Sequence, residues 1–132
     1  MRVIVPKKWS LEHSATPVNL DGITCFSPVP VLEDAAHQEG LEYIRKRAQA
    51  IDAVNHGLEL ANNILEQPGL IPDAWEEKIL VFPGDIWKMP CGSMRMLILW
   101  YGQKEWEHEF IWAKTCSWSP RDHFVRVSYP QG

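Results

Sequence analysis

The chain has 132 residues, 45% hydrophobic and 23% charged, a size and balance that suit one domain with its own core and exclude a second. Thirteen Lys and Arg against 17 Asp and Glu give a formal charge of -4, which makes nucleic acid an unfavoured partner because phosphate contacts need clustered cations. Cys25, Cys91 and Cys116 form no close pair and are odd in number, unlike a secreted disulfide scaffold, while the opening apolar run is too short for an export signal and no stretch nears the roughly 18 apolar residues of a membrane span; a cytoplasmic chain making no membrane contact is expected.

Residues 1–31 offer two short strand candidates, Val3-Ile4-Val5 and Ile23-Thr24-Cys25-Phe26, interspersed with Pro6, Pro17, Pro28 and Pro30. Proline cannot donate to a sheet ladder, so this part is expected to be an irregular or edge-strand cover. From 33 to 66 the apolar residues Leu41, Ile44, Ala48, Ile51, Val54, Leu58, Ala61 and Leu65 recur at steps of three and four, the spacing of one helical face. Unbroken, such a helix would reach about 50 Å, more than the roughly 30 to 40 Å expected across so small a domain. A break near Asn55-His56-Gly57 or Gly40, or an end that projects onto a second copy, would resolve the mismatch. The stripe keeps phase across Gly57, which favours one long helix, kinked if necessary, and Pro68-Gly69 ends it.

Asp73-Ala74-Trp75-Glu76 carries a weakened capping box and predicts a single helical turn. Beyond it the period changes to two. Strands are expected at 79–82, 86–89, 94–101, 105–115 and 123–129, with turns at Pro83-Gly84, Pro90 to Ser93, Gly102-Gln103-Lys104 and Ser117 to Asp122. Connections this short predict antiparallel neighbours, since a parallel return takes a dozen or more residues. The fold class is therefore α+β: an antiparallel β-meander of four to six strands over 78–129, short-turned enough to curl into a small SH3-like barrel, packed against one long amphipathic helix.

In the hairpin 94–115, a turn centred on Gln103 puts Met94, Met96, Ile98 and Trp100 on one face with Trp106, His108, Phe110 and Trp112. That face is expected to meet the helix. The other would carry Arg95, Leu97, Leu99 and Tyr101 with Glu105, Glu107 and Glu109, and Arg95 would pair diagonally with Glu109. Shielding of the aliphatics by glutamate stems is the plain explanation. An exposed apolar patch with an acidic rim, suited to a basic or amphipathic protein, is the functional one. Of the seven tryptophans, Trp87, Trp100, Trp106 and Trp112 are expected in the core, and Trp9, Trp75 and Trp118 at an interface.

Catalytic spacings are weak. The sequence has no C-x-x-C, H-E-x-x-H, calcium loop or glycine-rich phosphate loop. His108 and Cys116 share a face by parity but lie roughly 27 Å apart along a strand. Cys91 occupies a turn and is the most accessible thiol expected. Arg121-Asp122-His123 sets an acid beside a histidine, yet neighbours on a strand point to opposite faces, and an Asx-type turn explains them as well.

These patterns point to a small protein-binding accessory or inhibitor domain without catalysis, metal or cofactor. Its contacts would be Leu97, Leu99, Tyr101, Glu105, Glu107 and Glu109. The alternative is a small-molecule-binding or hydrolytic domain with a pocket between helix and sheet, using His108, His56 and Tyr43 as polar groups. Homodimerisation through the long helix is a third possibility.

Overall fold

The computed structural model of the chain describes residues 3–14, 25–31, 46, 57–67, 71–113 and 118–128. Among these the strands are β1 (Ser10–His13), β2 (Cys25–Pro30), β3 (Ile79–Lys88), β4 (Met94–Gly102), β5 (Glu105–Trp112) and β6 (Asp122–Ser128). A helix, α1 (Leu58–Glu66), and a 3-10 turn at Asp73–Glu77 accompany them. The fold is α+β. Val3-Ile4-Val5 is not a strand; the chain enters the sheet only at Ser10.

The sheet is mixed, not the expected antiparallel meander. Its order is β2-β6-β3-β4-β5, with β1 also pairing β3. Among the described strands this is an open path ending in β2 and β5, not a closed barrel. β6 runs parallel to β3, with Leu80 opposite His123 and Val81 opposite Phe124. From Trp112, opposite Arg95, to Asp122, opposite Ile79, the chain moves three strand spacings sideways, about 14 Å, and about 17 Å back along the sheet, so its ends lie about 22 Å apart, which a nine-residue connection covers at about 3.3 Å per residue. Ala113 and Trp118, from the two ends of that link, are both buried in one core cluster with strand residues. The connection is thus shorter than the dozen residues required above.

Pro83-Gly84 does not split β3. Between the pairs Phe82↔Leu97 and Trp87↔Arg95, five steps of β3 pass two steps of β4, so three residues form an extended bulge. A bulge is where proline and glycine can be accommodated inside a sheet. The odd insertion also turns Trp87 to the same side as Phe82. Along the remaining edge of β3, β6 takes Ile79 to Val81 and β1 takes Ile86 to Lys88. Pro28 and Pro30 lie in β2, at the end of the strand order, where proline is tolerated.

Gly57, at φ -142° and ψ -143°, is not helical, and α1 begins at Leu58. One helix running unbroken through Gly57 is therefore ruled out, although the apolar stripe keeps phase there. Lys46 is helical, and the rest of 33–56 lies outside the described residues. The bulge supplies what starts α1: Asp85 Oδ2 accepts the Leu58 N–H at 2.7 Å, serving one of the amides a helix start leaves open. Asn62, buried on the same helix, accepts the Val3 N–H at 2.7 Å and ties down the N-terminal segment.

Both sheet faces are covered. On the first, Leu60, Ala61, Ile64 and Leu65 of α1 share a core with Leu80, Phe82, Leu97, Leu99, Trp106 and Val125. On the second, Val81, Ile86, Met96, Ile98 and Phe124 pack with Val31, Ala113 and Trp118. Two-sided burial explains the unbroken apolar runs Ile79 to Phe82 and Met96 to Trp100, since a strand with a wet face would alternate.

Candidate functional site

β4 and β5 are joined by a two-residue loop, Gln103-Lys104, with φ of 36° and 154°. Gly102 faces Glu105, Tyr101 faces Trp106, Leu99 faces His108 and Leu97 faces Phe110. A turn centred on Gln103 would pair Leu99 with Glu107; the observed turn is centred half a residue later. A one-residue change of register moves every side chain of one strand to the other face. Leu97 and Leu99 are consequently 0% exposed, in the helix-side core, and cannot form an exposed patch.

The remaining expected contact residues are divided. Tyr101 is half-buried on the helix side, 5.7 Å from Trp106 between ring centres. Glu105, Glu107 and Glu109 are exposed on the opposite side, where Glu107 faces Trp100 and Glu109 faces Ile98. Arg95 and Glu109 lie on different faces, so the expected diagonal pair does not form. Trp112 is exposed, whereas Trp75 and Trp118 are buried, reversing three of the tryptophan assignments.

A different surface emerges from the same strands. Leu11 pairs with Trp87, Trp87 with Arg95, and Arg95 with Trp112, so these four side chains form one lateral row on the helix-side face. The outer two, Leu11 and Trp112, are 51% and 55% exposed. Arg95 anchors the row: its Cζ stands 5.1 Å from the Trp112 ring centre, and its Nε donates to Met89 Sδ at 3.2 Å. The cation holds the indole against the sheet instead of leaving it free. Beside the row, Phe110 meets Trp9, Trp87 and His108 edge to face, with centroid distances of 5.1, 5.3 and 6.5 Å. Trp9, His108 and Phe110 are each half-buried. Nothing in the local spacing marks Leu11, but a two-residue reading of Gln103-Lys104 would have found Arg95 beside Trp112.

Other constellations resolve into structure. Burial pushes the Asp122 carboxyl above its ordinary value of 3.8; hydrogen bonds from Ser119 and the nearby His123 and Arg121 pull the other way. Its Oδ2 accepts the Ser119 N–H at 2.7 Å, and its own N–H returns to Ser119 C=O at 3.0 Å, closing the turn into β6. His123 Nδ1 contacts Arg121 C=O at 2.7 Å, not Asp122. Cys91 is exposed in the turn before β4, where Gly92 takes a φ of 93° that favours glycine. His108 lies on the helix-side face, while His56 and Tyr43, its expected pocket partners, lie outside the described residues. Among the described residues no three His, Cys, Asp or Glu side chains gather to hold a metal ion, and no helix is long and apolar enough to cross a membrane.

What remains is an aromatic row pinned by one arginine, beside an edge strand whose other face is acidic. No known protein family, curated protein or solved structure matches the chain.

Proposed function

We propose that the protein is a binding module that engages another protein through the β1/β5 end of its helix-side sheet face. The observation that carries this reading is the pair Leu11 and Trp112, each more than half exposed in one lateral row. Exposed leucines are common singly. A leucine and a tryptophan at the two ends of a row that runs through buried Trp87 and half-buried Arg95, with Trp9 and Phe110 adjoining, have the make-up of an interface centre, where Trp and Arg are enriched.

Photo-crosslinking in cells tests the reading. A crosslinking side chain in place of Trp112 should give a discrete adduct that a Leu11→Ala change abolishes. The same group in place of exposed Glu59, on α1, should not form it. Equal adducts from both positions, or an adduct indifferent to Leu11, would contradict the reading. An adduct consisting of two copies of this chain would replace the partner with self-association.

A further inference from the structure

We infer that β5 accepts an extended basic peptide as an added strand, with lysine or arginine side chains alternating with apolar ones. This rests on the binding role proposed above and names the chemistry of the partner.

β5 ends the strand order, and among the described residues no strand pairs its outer side. The direction of its main-chain groups follows from one bond. Ala113 N–H donates to Met94 C=O at 2.9 Å, so in an antiparallel ladder the odd-numbered residues of β5 bond to β4 and the even-numbered ones turn outward. Trp106, His108 and Phe110 therefore present N–H and C=O groups along the edge. One of them, Phe110 C=O, takes a long 3.4 Å contact from Arg95 Nη1. An added strand can bond the others, as in other cases of strand addition.

The two faces of this edge differ sharply. Glu105, Glu107 and Glu109 are exposed on one side; His108, Phe110 and Trp112 stand on the other. A strand laid alongside would set every second side chain near a carboxylate and the alternate ones near the aromatic row.

Charge also selects against a second copy of this chain. Two β5 strands joined antiparallel through their outward, even-numbered groups would set odd positions opposite odd positions, glutamate against glutamate. Like charges directly opposite destabilise a ladder, and charged edges are a known guard against self-pairing. A basic strand converts the same repulsion into attraction.

The test uses the full chain labelled for NMR and a blocked octapeptide of alternating lysine and valine. Two controls are a peptide of the same composition with all lysines first, and an alternating glutamate–valine peptide. The lysine–valine peptide should slow exchange of the His108 and Phe110 amides and bind several-fold more weakly at high salt. A Glu107→Lys/Glu109→Lys variant should weaken it about tenfold and should bind the glutamate–valine peptide instead. His108→Pro removes one outward N–H at an edge, where proline is tolerated, and should abolish binding while thermal unfolding stays cooperative.

Equal binding of the lysine-first control, indifference to the charge reversal, or protection elsewhere than β5 would overturn strand addition. Failure of the folded wild-type chain to bind the lysine–valine peptide would also overturn it, while leaving the Leu11 and Trp112 surface to its own crosslinking test.

Discussion

Arg95 and Trp112 face each other across the β4–β5 ladder, the guanidinium carbon 5.1 Å from the indole centre. The pair fixes which side of the hairpin is wet at its open end. It belongs to the helix-side face, beyond the reach of the covered leucines.

That sidedness predicts an asymmetry of mutational cost. Leu99→Ala should destabilise the fold by about 2 to 5 kcal/mol, the range for a filled core position. Leu11→Ala and Trp112→Ala should each cost less than about 1 kcal/mol, as surface changes do. Urea unfolding of the three variants checks this, and similar losses at Leu11 and Leu99 would speak against the placement.

Asp85 links the β3 bulge to the start of α1. Asp85→Ala should cost about 1 to 2 kcal/mol through loss of the helix-start acceptor, and Asp85→Asn distinctly less because it keeps an oxygen there. Urea midpoints measure both.

Asp122 gives a pH signature. Its folded form holds the proton more tightly than the unfolded chain, because burial penalises the carboxylate. Such a group adds stability at acid pH, and this contribution is lost as pH rises from the ordinary value of 3.8 through the raised folded value. Asp122→Asn keeps an acceptor for Ser119 and removes the titration. The stability of wild type relative to this variant should therefore fall as pH rises across that window, measured by thermal or urea unfolding at a series of pH values. A wild-type advantage that grows with pH would contradict the burial effect.

The Gln103-Lys104 loop adopts positive φ at two non-glycine residues. Replacing the pair with Asn-Gly, the residues best suited to a two-residue hairpin, should stabilise the fold by up to about 1 kcal/mol, because relief of a side chain held at positive φ outweighs glycine's entropy cost. Differential scanning calorimetry reads it as a raised Tm.

Much of the strand content was legible in the sequence, because Ile79 to Phe82, Met94 to Tyr101 and the β5 alternation carry strong patterns. The faces were not. Parity along β4 and β5 is plain, yet joining the two parities depends on the loop, and Gly102-Gln103-Lys104 does not announce whether it holds two residues or three. Half a residue there exchanged Leu97 and Leu99 for Met96 and Ile98. The run Met96-Leu97-Ile98-Leu99 itself signals burial on both sides, which already weighs against a wet leucine face. Parallel pairing of β6 was illegible for another reason: the short link looked like a turn, and only Trp118 packing across the second face shows how it crosses. Asp85 was hidden because Pro83-Gly84 is an ordinary turn signal and a bulge uses the same residues.

The register of β5 on β4 carries the rest. Cross-strand Hα–Hα nuclear Overhauser effects read it directly, since Cα atoms of non-hydrogen-bonded antiparallel pairs approach to about 4.5 Å. Strong contacts between Leu97 and Phe110 and between Leu99 and His108 are expected. A strong contact of Leu99 with Glu107 instead would return the leucines to the acidic face and remove the Arg95–Trp112 surface.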